Sequence, residues 1–451
     1  MRKPPIPLFC IFILLLGTLL PQRAAASQLQ LIRDAEIENT IRIYATPLFQ
    51  AAGLSPQGIS LYLVNDRALN AFVAGGMNLF INTGLLIETE EPGEVIGVIA
   101  HETGHISGGH LATRGTALEQ TQAAMIATYL LGIGAALATG NPGAGAAVIS
   151  TGSDVALRGL LQYTRTQENS ADQAAVTLLQ ATQQSPRGLM EFMEALSGQE
   201  VLLSSSQDPY LRTHPLTQDR IDFLQQAMRT SPYANKPDDE ELVRLHNRMR
   251  AKLIGFLSPL NKTLKLYPPV DISVPGRYAR AIGYYRVPDI KAALNEIDNL
   301  LEENPNDPYF RELRGQMLLE SGRVAESVPE YEIAAQILPG SAQIRQALAK
   351  AQIAMDSREM DKAALENLAI TLSEEPGNGA AWRLSAIAHG RLGDQPMTAL
   401  SLAEYALARG KYVEARDRAN TAAGLLQEST APWLRAQDLK NEAERRLKRK
   451  Q

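Results

Sequence analysis

The spacing of hydrophobic and polar residues predicts a mainly helical chain with a small β-sheet near its start. Residues 29–53 carry apolar positions at the spacing of an amphipathic helix. Apolar and polar residues alternate over residues 59–64, which indicates a strand, and residues 70–73 and 78–81 indicate two more. A glycine turn, Gly75–Gly76, separates the last two. The start of the chain therefore predicts one helix followed by three strands.

Two helices are predicted by the next part of the pattern. Residues 84–87 predict a short helix, which Asn82 or Thr83 can cap with a side-chain oxygen. Residues 94–100 are mostly apolar and contain a single glycine, so they predict a buried helix. This helix leads directly into the sequence His-Glu-Thr-Gly-His at positions 101–105. We expect those five residues to continue it.

The C-terminal part of the chain is repetitive. Pro305 and Pro339 lie 34 residues apart, which is the period of the tetratricopeptide repeat, and Pro376 follows after 37. Gly315 and Tyr331 occupy the small and large packing positions of that repeat. Stacked helix pairs of this kind form a concave binding groove. The sequence predicts about four such units, and a generic helical bundle is the alternative.

Composition narrows the classes of function. The chain has 451 residues, enough for two or three domains, and a net charge of −5. No basic stripe of the kind that neutralises nucleic-acid phosphates precedes the short basic segment at residues 445–450. Nucleic acid is therefore not an expected partner.

The N-terminus has the features of an export signal. Arg2 and Lys3 precede an apolar run at residues 8–20, and small residues ending at Ala26 form a cleavage site. The run is too short for a comfortable membrane span. The single cysteine, Cys10, lies inside it, so the mature chain would have no disulfide. These features favour the periplasm.

The sequence at positions 101–105 can bind a metal ion. On a helix, His101 and His105 are one turn apart and present both imidazoles on the same face. Two imidazoles at this spacing can hold one Zn²⁺ per subunit, with a third protein ligand and a water. Glu102 can take a proton from that water and deliver it to a leaving amine. His110 lies beyond the helix and off the ligand register.

A second acidic pair lies downstream. Glu168 and Asp172 are one helical turn apart. Glu168 can serve as the third zinc ligand, and Asp172 can accept a hydrogen bond from a ligating histidine and so fix its tautomer. Without the histidine helix, the same pair would indicate a solvated helix face.

The pattern Arg165-x-x-Glu168-x-x-x-Asp172 after a His-Glu-x-x-His helix resembles the gluzincin metallopeptidases of the HtpX and CAAX-prenyl-protease superfamily. Within that superfamily it is similar to the BepA-like (YfgC-like) periplasmic proteases, which join such a domain to tetratricopeptide repeats. The resemblance implies three parts, listed here with their bounds: a signal peptide at 1–26, a zincin-type zinc metalloprotease domain at 27–265, and an α-solenoid of tetratricopeptide repeats at 266–451.

The resemblance also implies a function. It indicates an exported zinc endopeptidase that cleaves unfolded or misassembled envelope proteins in the quality control of outer-membrane protein assembly. The repeats would recruit clients or the outer-membrane β-barrel assembly machinery. A different interpretation is a chaperone-like or scaffold protein with a latent or structural zinc site. An intact Glu102 favours the enzyme, because a structural site does not need that carboxylate. The resemblance further implies a sheet edge to which an extended peptide can pair, with Asn70 nearby.

Three segments leave alternatives open. Residues 123–150 are apolar and rich in small residues, so they predict a helical hairpin that packs on the core, moves as a lid or touches a membrane. His214, just before a proline, can donate to an oxyanion, occupy the fourth zinc position and keep the enzyme latent, or only position the next helix. Arg220 is a transition-state donor or, as we favour, an ion-pair partner.

Residues 231–276 predict the connection between domains, with His246 on a solvated helix.

Overall fold

The computed structural model describes residues 30–74, 77–110, 164–202 and 214–449 of the chain. The predicted signal peptide, the Gly75–Gly76 turn and the predicted apolar hairpin at residues 123–150 lie outside the described residues. In the described ranges, no helix combines the length and the apolar character needed to cross a membrane.

A mixed four-stranded sheet lies in the N-terminal part, and its strands are β1 (Leu31–Ile32), β2 (Ser60–Val64), β3 (Ala71–Ala74) and β4 (Asn78–Asn82). Their order across the sheet is β1-β2-β4-β3. β2 and β4 are parallel, whereas β1 and β3 are antiparallel to their neighbours. The three predicted strands are confirmed. The two-residue strand β1 was not predicted, because it is too short to show alternation.

One face of this sheet packs against helices and forms the core. Leu63, Val73, Leu79 and Ile81 point to this face and belong to the same apolar cluster as the neighbouring helices. At the alternate positions, Tyr62, Phe72 and Phe80 point to the opposite face and are half-buried. The predicted period-2 pattern therefore sets which side of the sheet meets the rest of the domain.

The helices of the N-terminal half are α1 (Ala35–Ala51), α2 (Thr83–Glu88), α3 (Pro92–Ser107), α4 (164–181), α5 (Arg187–Leu202), α6 (Gln218–Thr230), α7 (Glu240–Leu257) and α8 (Leu260–Leu266). Asp34 caps α1 by accepting hydrogen bonds from the backbone N–H groups of Glu36 and Ile37. Asn82 takes the cap position of α2, but its side chain makes no cap hydrogen bond. Instead, the Thr83 hydroxyl donates to the carbonyl of Asp66 at 3.0 Å.

Helix α3 is the buried helix that the apolar run predicts. Pro92 occupies its first turn, and the Glu94 carboxylate accepts from the backbone N–H of Glu91 at 3.1 Å. Gly97 allows a close approach of α5, since a Cβ there would lie 2.7 Å from Cβ of Leu189. The helix is therefore held inside the domain from its first turn to its last histidine.

The structure describes all residues from 274 to 448, and they form ten helices. They are α9 (Val274–Arg286), α10 (Ile290–Glu303), α11 (Pro308–Glu320), α12 (Val324–Ile337), α13 (Ala342–Ala354), α14 (Arg358–Glu374), α15 (Gly379–Leu392), α16 (Gln395–Ala408), α17 (Tyr412–Leu425) and α18 (Ala431–Lys448). Consecutive helices pack against each other, which gives five pairs where the sequence predicted about four. A Cβ at Gly315 would lie 3.0 Å from the ring of Tyr331, so this predicted small-and-large pair does pack together.

Helix α7 is exposed in its first turns but largely buried from His246 onward, and the prediction for His246 was wrong. His246 is fully buried, and its Nε2 lies 3.1 Å from the carbonyl oxygen of Thr89. Burial lowers the pKa of His246 to about 4, so this imidazole is neutral at pH 7. The charged residues around it suggested a solvated helix. Arg248 and Lys252, however, are themselves buried against other parts of the chain.

A buried group of charges joins α7 to the start of α1 and to α9. The Glu36 carboxylate on α1 lies 2.6 Å from Arg248 and 3.2 Å from Lys252, and it accepts a hydrogen bond from the Tyr278 hydroxyl at 2.7 Å. Lys252 also pairs with Asp34 at 2.8 Å. This buried ionic cluster (Asp34, Glu36, Arg248, Lys252, Tyr278) fixes the start of α1 against the first repeat helix.

Candidate metal centre

Helix α3 brings three predicted site residues into one buried position. His101, Glu102 and His105 are 0%, 0% and 7% exposed. The two histidine Nε2 atoms lie 3.1 Å apart, as their spacing of one helical turn predicts. Two imidazole nitrogens this close together inside a protein have the arrangement of metal ligands.

Glu168 on α4 meets these two histidines. Its Oε2 lies 3.3 Å from Nε2 of His101, and its Oε1 lies 3.4 Å from Nε2 of His105. The close approach of α4 to α3 depends on Gly104, where a Cβ would lie only 2.8 Å from the carbonyl oxygen of Ala171. The glycine inside the His-Glu-Thr-Gly-His sequence therefore makes room for the helix that carries Glu168.

His214 completes the group as a fourth donor. Its Nδ1 lies 3.3 Å from Nε2 of His101 and 3.1 Å from Oε2 of Glu168. The ligand atoms of His101, His105, Glu168 and His214 all lie within 4.8 Å of one another, and all four residues are buried. His214 thus lies in the cleft, where the sequence suggested it could reach.

Most of the donor separations fit a tetrahedral metal ion. Bonds of 2.0–2.1 Å to nitrogen or oxygen give a tetrahedron with edges of about 3.3–3.4 Å. The five separations given above, which use both oxygens of Glu168, run from 3.1 to 3.4 Å, and all four ligand atoms lie within 4.8 Å of one another. Three imidazoles and one carboxylate are also donors that zinc accepts. The residues present therefore fit one divalent metal ion.

Asp172 lies behind His101 and is held there by Arg220. Its Oδ1 lies 2.8 Å from Nδ1 of His101, the ring nitrogen that faces away from the donor group. Arg220 donates to both oxygens of Asp172 at 2.6 and 2.9 Å and to the carbonyl of Pro215 at 3.1 Å. The ion-pair interpretation of Arg220 is observed. This one side chain connects the carboxylate behind His101 with the loop that carries His214.

His105 has a corresponding partner that the sequence did not predict. Its Nδ1 lies 2.9 Å from Nδ1 of His110. His110 itself is off the ligand register, as predicted, but the turn after α3 brings it back against the second histidine. The backbone of His110 in turn accepts a hydrogen bond from Gln167, next to Glu168, at 3.2 Å. A contact of this kind depends on how the chain turns at Gly108–Gly109, which spacing does not reveal.

The electrostatics of the group favour deprotonated acids. Burial favours the neutral form of Glu168, but hydrogen bonds from His101, His105 and His214 outweigh it and hold the pKa of Glu168 well below its usual range. In the same way, Arg220 and His101 outweigh burial and lower the pKa of Asp172 to about 2. Burial lowers the pKa of His105 to about 4, so this ring is neutral and able to bind a metal ion at pH 7.

Glu102 differs from the other two acids. Both of its carboxylate oxygens are buried, and they face Nε2 of His214, which lies 3.4 Å from Oε1, and the backbone of Val73. Burial raises the pKa of Glu102 above its ordinary value, despite the nearby charges of His214 and His101. A buried carboxyl group of raised pKa, next to a donor group of this kind, is suited to accepting and returning a proton.

Comparison with known proteins gives two kinds of similarity. Residues 32–228 match the model of peptidase family M48. The chain is 26% identical over 67% of its length to the beta-barrel assembly-enhancing protease of Yersinia pestis, and 24% identical over 66% to that of Escherichia coli K12. It is also 26% identical over 56% of its length to a putative beta-barrel assembly-enhancing protease of Vibrio cholerae.

The matched regions cover only part of each relative. The chain spans 62% of the Yersinia protein, 61% of the Escherichia protein and 52% of the Vibrio protein. The match to the family model includes α3, α4 and His214, so it covers the whole donor group.

Proposed function

We propose, from the match of residues 32–228 to peptidase family M48, that this chain is a zinc-dependent endopeptidase. The observation that carries the proposal is the buried group of ligand atoms from two histidines of one helix turn, a glutamate and a third histidine. We assign His101, His105 and Glu168 as zinc ligands. Zinc is the metal that imidazole and carboxylate donors in tetrahedral arrangement favour.

Glu102 is the residue that moves protons in this proposal. A zinc ion held by the three ligands would polarise a peptide carbonyl and lower the pKa of water. Glu102 takes the proton of the attacking water and returns it to the leaving amine. Its complete burial beside the donor group and its raised pKa support this role. Asp172 fixes the orientation and tautomer of His101 through its 2.8 Å contact.

His214 acts as an inhibitory fourth ligand in this proposal. Its Nδ1 faces the other donors, while its Nε2 lies 3.4 Å from Oε1 of Glu102. The ring therefore stands between the donor group and the proposed proton acceptor, where the attacking water has to be. Catalytic zinc sites keep one position open, so the loop of His214 has to move before hydrolysis.

Replacing His214 with alanine tests this assignment. We expect the bound zinc to stay the same. Hydrolysis of an unfolded protein should become about tenfold faster or more, because the fraction of chains with an open zinc position is no longer limited by the form in which His214 occupies it. Zinc content by mass spectrometry and the rate of substrate loss are measured on the same preparation. His389→Ala, on the distant helix α15, is the matched control and is expected to behave like the wild type. Slower hydrolysis would instead indicate that His214 donates to the oxyanion.

We propose unfolded or misassembled envelope proteins as substrates, and the periplasm as the location. The names of the relatives describe proteases that enhance β-barrel assembly, and the predicted signal peptide agrees with export. β3 is the last strand of the sheet order, and the backbone of Val73 lies beside Glu102. An extended segment could pair with this strand by main-chain hydrogen bonds once Ala71 and Val73, which are buried in this structure, are uncovered.

The repeats are proposed as the part that recruits partners. We keep the division into a signal peptide (1–26), a metalloprotease domain (27–265) and a tetratricopeptide-repeat domain (266–451). Helix pairs of the kind observed bury their inner faces against neighbours and present a concave surface. A client or the outer-membrane β-barrel assembly machinery is the proposed partner of that surface.

A scaffold or chaperone with a structural zinc site is the second candidate. It is favoured by one observation, the presence of four protein donors, because structural zinc sites are usually closed in this way. The two candidates differ in what Glu102 does, since a structural site does not use it.

A further inference from the structure

Three aromatic side chains form a row across the face of the sheet that points away from the core. Phe80 on β4 is the register partner of both Tyr62 on β2 and Phe72 on β3. Neighbouring ring centroids are 4.9 Å apart, and the ring planes differ by 16° and 7°. This distance equals the usual spacing of neighbouring strands, so the aromatic row (Tyr62, Phe80, Phe72) advances by one ring with each strand.

The row ends on the edge strand, at a position that favours close side-chain pairing. Asn82 donates its backbone N–H to the carbonyl of Asn70 at 2.9 Å. Hydrogen-bonded and non-hydrogen-bonded pairs alternate in an antiparallel ladder. The backbone of Phe72 therefore bonds to β4, whereas the backbone groups of Ala71 and Val73 point to the outer edge. A strand added at that edge would bond to those two residues, which are buried in this structure (0% and 8% exposed), so the edge has to be uncovered before a strand can pair with it. Its residue opposite Phe72 would form a non-hydrogen-bonded pair, in which side chains come closest.

The outer edge of β3 also lies close to Glu102, the proposed catalytic residue. The backbone of Val73 lies beside the Glu102 carboxylate. Side chains of an added strand would alternate between the two faces of the sheet. The residue paired with Val73 would point toward α3, and its neighbour would point toward Phe72. The aromatic row therefore lies next to the position at which a bound segment meets the donor group.

We propose that the aromatic row selects substrates with an aromatic side chain opposite Phe72, one residue away from the residue paired with Val73. This inference rests on the proposed peptidase function. A substrate ring at that place continues the stack with the spacing that the first three rings already have. Offset stacking adds to the effect of buried area, whereas an aliphatic side chain has no planar face to offer.

A peptide series tests the preference. The host peptide contains serine, threonine and glutamine around one phenylalanine, which is moved by one position at a time. We expect the cleaved bond to move with the phenylalanine at a constant offset. Replacing that phenylalanine with leucine is expected to lower kcat/KM about 3- to 10-fold. Cleavage at a fixed bond, or equal kcat/KM for the two peptides, would overturn the inference.

Variants of the protein connect the preference to Phe72. Phe72→Leu is expected to remove the 3- to 10-fold difference between the two peptides, and Phe72→Trp, which keeps a ring at the edge, is expected to retain it. Tyr62→Leu is the matched control, because it shortens the row at the end farthest from the edge. It should retain the preference. A preference that survives Phe72→Leu, in a protein with wild-type circular dichroism, contradicts the proposal.

A binding measurement separates this inference from the proposed function. Failure of both the wild type and the His214→Ala chain to hydrolyse any peptide or unfolded protein would contradict the peptidase proposal. The affinity of the Glu102→Gln chain for the phenylalanine and leucine peptides, measured by fluorescence anisotropy, then decides the inference alone. Tighter binding of the phenylalanine peptide supports the aromatic row as a selecting surface, and equal binding overturns it.

Discussion

The Glu102→Gln chain is expected to hydrolyse unfolded protein about 10²–10⁴-fold more slowly than the wild type, because a neutral amide cannot accept the proton of the attacking water. The amide keeps the size of the carboxyl group, so the packing around this fully buried side chain should stay the same. Bound zinc should also be unchanged, since Glu102 is not a member of the four-residue donor group. Loss of activity with metal retained is the signature of a proton acceptor.

The measurement combines substrate loss, followed by gel densitometry, with zinc content of the same samples. Glu88→Gln is the matched control, because Glu88 is an exposed carboxylate at the end of α2. It is expected to retain wild-type hydrolysis. If the Glu102→Gln chain were as active as the wild type, Glu102 would not be the base and the mechanism would be wrong.

Glu36→Ala is expected to lower the free energy of unfolding by about 3 kcal/mol, the low end for breaking a buried ion pair. Glu36 is 1% exposed and faces Arg248, Lys252 and the Tyr278 hydroxyl. Without it, two buried cations lose one of their carboxylate partners. The loss stays at the low end because Arg248 keeps Asp307 and Lys252 keeps Asp34.

Urea unfolding followed by circular dichroism measures this effect. Glu38→Ala on the same helix is the control, because Glu38 pairs with the half-exposed Arg33 and an exposed pair contributes about 0–1 kcal/mol. A similar shift of the unfolding midpoint in both variants would mean that the buried ionic cluster does not hold α1 against the repeats.

The sequence predicted those parts of the site that depend on local spacing. His101 and His105 share a helix face because they are four residues apart, and Glu168 and Asp172 do so for the same reason. The burial of α3 was predictable from its apolar residues. Spacing alone did not show that Glu168 meets the histidines of α3, because nothing in the intervening sequence indicates that Gly104 lets α3 and α4 touch. That assignment needed the paired pattern of the two motifs.

Long-range contacts account for what was missed. Helix α7 carries many charges, so it suggested a solvated surface, whereas Arg248 and Lys252 meet acids more than 200 positions earlier in the chain. His246 is buried beside them for the same reason. The partner of His105, His110, depends on a turn geometry that composition does not encode. The aromatic row became visible only with the strand order β2-β4-β3, which places Phe80 between two rings that come earlier in the chain.

The zinc content of the wild-type chain, measured together with hydrolysis of unfolded protein, tests the central claim most directly. We predict one zinc ion per chain, loss of hydrolysis when a chelator removes it, and recovery when one equivalent of zinc is returned. The four buried donors, with five separations of 3.1–3.4 Å among them, are the basis for that expectation. Hydrolysis that continues in the metal-free chain would contradict the account.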